Sequence, residues 1–342
     1  MTKINNLIRV NFVLLVSTFF ICPNIAEASQ EILSVNEIKE LISKIESAES
    51  NLLNVKIESE VWMEESESLS GPWKRTPVYI SATSWFLGYP IEKARVDVHT
   101  EVSRGYWADK DRCIYSKQSY KASYDGQFGR ILYQHYEENG KKKNINSGEI
   151  FKQSPDIIKG KRSGVVTGLR LTTNYFFIDN EEIDSFPQYF KTAISPEALN
   201  RNAFEFTREE YDNMNCIKFR LKSTESFRIN WWFDPSRGFA LLGHEKIKKN
   251  KEGMEFIEER IRINKLEKVA EDIWWPVDGT IESERRKQGE PYTRTVYHAF
   301  NVIANDPNFD SGIFSVDFPI GCTVDDKVNN RKYIVTKDPN SH

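Results

Sequence analysis

The stretch that most constrains this chain is Ser226-Phe-Arg-Ile-Asn-Trp-Trp-Phe-Asp-Pro-Ser-Arg-Gly-Phe-Ala-Leu-Leu-Gly-His-Glu245. Phe227, Ile229, Trp231 and Phe233 recur at every second position, the period of a sheet face. Asp234-Pro-Ser-Arg-Gly238 then reverses the chain. Aspartate accepts backbone hydrogen bonds at the turn entry, proline pre-sets φ, and glycine supplies a positive φ at the exit. The segment therefore predicts strand, tight turn, strand. A chain built on such hairpins must find a second layer to bury the apolar face.

The same alternation recurs on both sides. Strands are predicted over residues 55–63, 78–87, 93–102, 112–124 and 128–136, and again over 203–211, 216–223, 255–266, 273–287 and 292–303. Short turns separate them, including Asp125-Gly126 and the segments 212–215, 250–253, 269–272 and 288–291. Connections this short give an antiparallel, sequential order. Residues 64–77 read as a polar loop, and 138–144 as a charged, solvated tip. Ahead of the first strand, Ser34-Val-Asn-Glu37 is a capping box, and Ile38, Leu41, Ile42 and Ile45 follow at helical spacing. Residues 35–50 are thus an amphipathic helix whose apolar stripe needs a partner. The middle, 147–204, loses the two-residue period, and short helices are predicted over 183–193 and 196–201. No composition shift marks a linker, so residues 29–338 form one domain, with 339–342 a loose tail. The expected fold class is α+β, a curved antiparallel sheet wrapped around an N-terminal helix and short mid-chain helices.

The first residues read as an export signal. Lys3 and Arg9 form a basic n-region, the stretch from Leu7 to Ile25 is mostly apolar, and Ala26-Glu27-Ala28 is a small-x-small cleavage site. The apolar core is short for a bilayer span, so residues 1–28 are expected to be removed, leaving no transmembrane anchor. That places the mature chain in the periplasm or outside the cell. A formal net charge of −3 excludes a general nucleic-acid binder, which needs basic excess. Cys113, Cys216 and Cys322 lie far apart, which rules out a local metal knuckle or redox motif. Two of them pair as a disulfide, or all three are small buried side chains.

Catalytic signals are absent from the sequence. The five histidines show no ligand spacing, and the acidic pairs such as Glu64-Glu65 and Glu258-Glu259 read as solvated faces. No Gly-x-Ser-x-Gly elbow or phosphate loop exists. The expectation is a non-enzyme without metal or cofactor. A glycosidase would need two carboxylates facing across a cleft. Within each of the pairs Trp231-Trp232 and Trp274-Trp275, one ring faces the core and one faces out. An outward tryptophan would suit sugar stacking.

The order of elements, a capped helix leading into a strand and then a long meander, resembles the LolA/LolB-like family of outer-membrane lipoprotein carriers. The residues that carry the resemblance are Ser34 to Met63, Lys93-Ala-Arg-Val-Asp-Val98 and Ser123-Tyr-Asp-Gly-Gln-Phe128. Trp231-Trp-Phe-Asp-Pro-Ser-Arg-Gly-Phe239, Ile273-Trp-Trp-Pro-Val277 and the closing run Phe314 to Asp325 add to it. The resemblance implies an incomplete β-barrel whose concave face encloses helices and an apolar cavity for acyl chains. It also implies a lid-closing arginine, at a place in strand order like that of Arg95. Trp62, Trp85, Phe86, Trp107, Tyr133 and Trp231 are then the aromatics expected to line the cavity. The expected partner is a lipid or lipoprotein acyl chain. The alternative is an envelope sensor or scaffold that binds another envelope protein or a glycan.

Overall fold

In the computed structural model the described residues are 31–88, 92–104, 114–138, 141–143, 146–152, 175–178, 182–185, 191, 194–195, 204–224, 227–284 and 291–336. The expected signal peptide, the helix at 196–201, Trp107, Cys113 and the tail at 339–342 lie outside them.

Strand β1 (Glu31–Ile32) precedes helix α1 (Val35–Ser50). The capping box forms as the sequence predicts. The Ser34 amide and hydroxyl both donate to the Glu37 carboxylate at 2.8 Å, and the Glu37 amide returns a 3.4 Å bond to the Ser34 hydroxyl. A meander follows: β2 (Asn54–Ser66), β3 (Lys74–Leu87), β4 (Lys93–Arg104), β5 (Ile114–Tyr124), β6 (Gly129–Glu138), β7 (Lys141–Lys143) and β8 (Ser147–Phe151). A small separate hairpin, β9 (Tyr175–Ile178) and β10 (Glu182–Ser185), comes next. The second meander comprises β11 (Phe204–Tyr211), β12 (Met214–Thr224), β13 (Phe227–Asp234), β14 (Ala240–Lys249), β15 (Glu255–Ala270), β16 (Ile273–Ser283) and β17 (Tyr292–Ala304). A 3-10 turn at Ser311–Phe314 leads to β18 (Thr323–Asp326) and β19 (Arg331–Ile334).

All strands except β9 and β10 belong to one sheet of 17 strands. The two meanders join where β17 pairs with β2, so the first long strand and the last lie side by side at the centre. From there the sheet runs out through β16 to β11 and β1 on one side, and through β3 to β6, β8, β18 and β19 on the other. Every pairing is antiparallel except β8 with β18. The two ends do not meet, so the sheet is an open, bent surface and not a closed barrel. Register shifts interrupt seven of the pairings. Such bulges bend a strand and sharpen its twist, which is how so wide a sheet curves.

The defining hairpin forms around Asp234, which accepts from the Ser236 amide at 2.8 Å and the Ser236 hydroxyl at 2.6 Å. Gly238 has φ +60, and a Cβ there would lie 2.4 Å from the Asp272 carbonyl oxygen. Phe239 also has a positive φ of 59, a conformation that a bulky residue adopts only when its surroundings impose it.

Cross-strand register defines the two faces. One line runs Phe206, Phe219, Trp231, His244, Ile261 and Ile281 across β11 to β16. It belongs to the inner face, which carries α1. Ile38, Leu41, Ile42 and Ile45 of α1 are buried in one cluster with Phe206, Phe219, Ile229, Trp231 and Leu241. Each such side chain stabilises the docked helix by about 1.5–3 kcal/mol relative to exposure.

Three sequence expectations are corrected. Residues 183–185 lie in strand β10, paired with β9, and not in a helix; a strand of four residues is too short for a two-residue period to show. The supposed loop at 64–77 is largely strand, because β2 continues to Ser66 and β3 begins at Lys74. Pro77 is tolerated there because the register skips from Glu64↔Arg75 to Trp62↔Tyr79, leaving it unpaired. Within 147–204, where the sequence shows no two-residue period, β8, β9 and β10 are strands.

Candidate functional site

The inner face divides into two parts. Over β11 to β14 it is covered by α1. Over β2 to β6 and β15 to β17 it carries a second apolar cluster, in which Ala94 and Ala122 are fully buried and Val96 is 1% exposed. None of the α1 side chains belongs to that cluster. The apolar stripe of α1 packs on β11 to β14, and the chain leaves the helix through Leu52, which packs at the edge of the second cluster.

This second cluster is apolar but not uniformly so. Tyr120, Tyr297 and Trp275 sit within it, 5%, 1% and 4% exposed. The Trp275 indole N–H faces the Tyr297 hydroxyl, and neither group has another hydrogen-bond partner. Burial pushes the Tyr297 hydroxyl well above the usual phenol range, despite the indole. The Tyr297 hydroxyl proton, buried in apolar surroundings without an acceptor, costs free energy, about 1–3 kcal/mol.

Toward the β8 side the face turns amphipathic. The Tyr120 and Tyr133 rings are tilted at 6.4 Å. Burial raises the Tyr133 hydroxyl pKa, with the Glu149 carboxylate adding to it. Glu149 accepts from Lys327 at 2.6 Å, and the Lys327 ammonium lies 4.5 Å over the Phe151 ring. The apolar interior thus ends in a partly exposed, charged lip.

Of the seven residues singled out from the sequence, the structure places Phe86, Tyr133 and Trp231 on the inner face. Phe86 is 3% exposed within the second cluster, with Tyr133 packed against it. Trp231 belongs to the part covered by α1, stacked 5.1 Å from Phe219 and tilted 5.4 Å from His244. Trp62, Trp85 and Arg95 lie on the opposite, outer face. Trp62 donates to Glu64 at 2.9 Å beneath the Arg75 guanidinium. Arg95 grips Asp97 through two bonds of 2.7 and 2.8 Å, donates to the Ile313 carbonyl at 3.0 Å, and stacks 5.3 Å over Trp85. It ties the 3-10 turn to the outer side of β4. Trp107 lies outside the described residues.

The outward members of the tryptophan pairs are not bare. Trp232 is 5% exposed, stacked 4.6 Å from Tyr211, under the Lys218 ammonium at 5.3 Å, with its indole N–H donating to Glu209. Trp274 is half-buried beneath Arg237. Neither is the open platform that sugar stacking on those pairs required. Tyr297, Trp275 and Tyr120 were not singled out from the sequence. The alternation Thr293, Thr295, Tyr297, Ala299 was visible, but nothing local says which parity faces the core.

Among the described residues no group of three or more His, Cys, Asp or Glu side chains could hold a metal, and no helix is long and apolar enough to cross a membrane. Cys216 and Cys322 are free and buried. Burial pushes the Cys216 thiol up to about 12, far from a nucleophile's range.

No family model matches the sequence, and no curated protein matches it. Solved structures do. A DUF1329 family protein from Desulfovibrio piger superposes with a TM-score of 0.37 at 10% identity, covering 82% of this chain and 97% of its own. A DUF1849 beta-barrel-like protein from Brucella abortus gives 0.23 at 11% identity, over 75% and 99%. A putative outer membrane lipoprotein-sorting protein domain from Vibrio parahaemolyticus gives 0.37 at 9% identity, over 81% and 95%. The structural neighbours thus include a protein of the kind the sequence resembles, at superposition scores too low to carry an argument about function.

Proposed function

We propose that the chain is an exported, non-catalytic binding protein that holds an apolar or amphipathic ligand, a lipid or the acyl part of a lipoprotein, against the inner face of β2 to β6 and β15 to β17. The observation that carries the reading is that no α1 side chain belongs to this cluster, which buries the Tyr297 hydroxyl and the Trp275 indole with no partner beyond their own mutual contact. An acyl chain matches the apolar walls. A carbonyl or carboxylate oxygen would give those donors an acceptor. The Glu149–Lys327 lip suits a polar head left near solvent.

Fourteen methylenes at about 0.8 kcal/mol each contribute about 11 kcal/mol of transfer free energy. Association and ordering cost at least about 4 kcal/mol, and because Tyr297 and Trp275 are 1% and 4% exposed, binding also requires what covers this cluster to move aside.

The test is titration of the purified chain with cis-parinaric acid, a fluorescent fatty acid, followed by displacement with palmitate. Saturable enhancement reversed by palmitate is the expected result. No enhancement, with solvent extraction also yielding no co-purified lipid, would overturn the reading. It would favour an envelope scaffold or sensor instead.

A further inference from the structure

A second site lies on the opposite side of the sheet. Strands β17, β2, β3, β4, β5 and β6 floor an open outer trough of about 400 Å³, within the size range of small-ligand sites. Its floor is a register line, Glu58–Thr83–Asp97–Lys121, with one side chain from each of four neighbouring strands. The line is about 14 Å long at the usual strand spacing.

A bulge stands at each end. On β17 the pairing jumps from Ala299↔Ser59 to Asn301↔Glu58, and Phe300 is the extra residue. On β6 it jumps from Ser119↔His135 to Tyr120↔Tyr133, and Gln134 is the extra residue. Bulges re-aim side chains, and both residues line the trough. Phe300 is 58% exposed, the one aromatic ring among the exposed large apolar side chains of the described residues.

The floor chemistry narrows the ligand. Asp97 is held by Arg95 at 2.7 Å and lies 3.6 Å from Lys121. Glu58 accepts from Lys56 at 2.6 Å, which with Asn301 keeps its carboxyl below the usual range. His99 Nδ1 lies 2.9 Å from the Ser119 hydroxyl. Donors and acceptors alternate at fixed positions, with charges of both signs. An acyl chain would desolvate that floor without replacing its water, and a polyanion would meet two carboxylates. A sugar chain offers hydroxyls that both donate and accept, and its partly positive C–H face suits the negative face of an aromatic ring.

From this arrangement we infer that the outer trough binds a neutral oligosaccharide, stacked on Phe300 and running across the strands toward Gln134. This site is independent of the inner face. Isothermal titration of the whole chain with maltohexaose, cellohexaose, xylohexaose and chitohexaose tests it. At least one is expected to bind with a Kd below about 1 mM. Phe300→Ala should then weaken binding about tenfold and Phe300→Trp restore it, consistent with the stacking contribution of one aromatic ring. Both variants should leave the thermal midpoint and cis-parinaric acid binding unchanged, because the ring is exposed and on the far side. The inference is overturned if none of the four sugars binds at about ten times that concentration, or if Phe300→Ala binds as tightly as the parent.

Discussion

Replacing Trp231 with alanine probes the contact on which the whole arrangement rests, the seat of α1 on the sheet. The indole is 4% exposed and shares a cluster with all four apolar side chains of the helix stripe. A buried tryptophan removes about 200 Å² from water, which at about 25 cal/mol per Å² is about 5 kcal/mol. A compact unfolded state already buries part of that, lowering it to about 3–4 kcal/mol. Loss of the stacked pair with Phe219 adds about 1 kcal/mol. The expected cost of Trp231→Ala is therefore about 4 kcal/mol, in the usual range for large-to-small aromatic changes. Urea unfolding followed by far-ultraviolet circular dichroism measures it. With a slope of about 3 kcal/mol per molar, the midpoint should fall by about 1.3 M. Ile45→Ala, 2% exposed in the same cluster, should couple to it by at least about 0.5 kcal/mol in a double-mutant cycle. A midpoint shift below about 0.3 M, or strict additivity of the pair, would refute the claim that this ring lies beneath the helix.

The remaining expectations are independent of one another. Gly148→Ala places a Cβ 2.2 Å from the Phe318 ring, so it should displace the segment that packs on the outer face and cost about 1–3 kcal/mol by overpacking; Phe318→Leu in the same background should recover part of the thermal midpoint. Cys216 and Cys322 are both buried, and burial raises both thiols, so neither should react with Ellman's reagent at pH 8 until denaturant is added; rapid native labelling at either position would contradict their placement. The Ser34 amide and hydroxyl, with Arg208, hold Glu37 down to about 2 from an ordinary 4.5. Because the folded value is depressed, its contribution is complete above pH 4.5 and is lost as pH falls toward 2. Glu37→Gln should flatten that part of the stability profile, and an unchanged acid limb would show that the cap does not respond to charge.

The strands, the capped helix and the turns were legible in the sequence because their signals are local. Ser34 and Glu37 are three residues apart, and Asp234 to Gly238 holds its turn within itself. The facing of side chains was not legible where both faces are apolar. Trp231 and Trp232 are both buried, one beneath α1 and one beneath Tyr211, and alternation says only that they oppose each other. Register was hidden by bulges. The extra residues Phe300 and Gln134 break the count that would assign faces on β17 and β6. Long-range partners were hidden too. The parallel pairing of β8 with β18 joins Ser147 to Thr323, and Arg95 meets the Ile313 carbonyl across the chain. No local pattern encodes either contact. Hence Arg95, Trp85 and Trp62, expected at the cavity from strand order and aromaticity, stand on the other face, while nothing local marks Tyr297 and Trp275 as members of the inner cluster.

The central claim is that an acyl chain lies against the inner face beside Trp275. Quenching of tryptophan fluorescence by a brominated palmitate tests it, because bromine quenches only indoles within contact range. The eight tryptophans of the chain should lose part of their emission saturably, and that loss should shrink markedly in Trp275→Phe. No saturable quenching, or quenching that Trp275→Phe leaves intact, would contradict it.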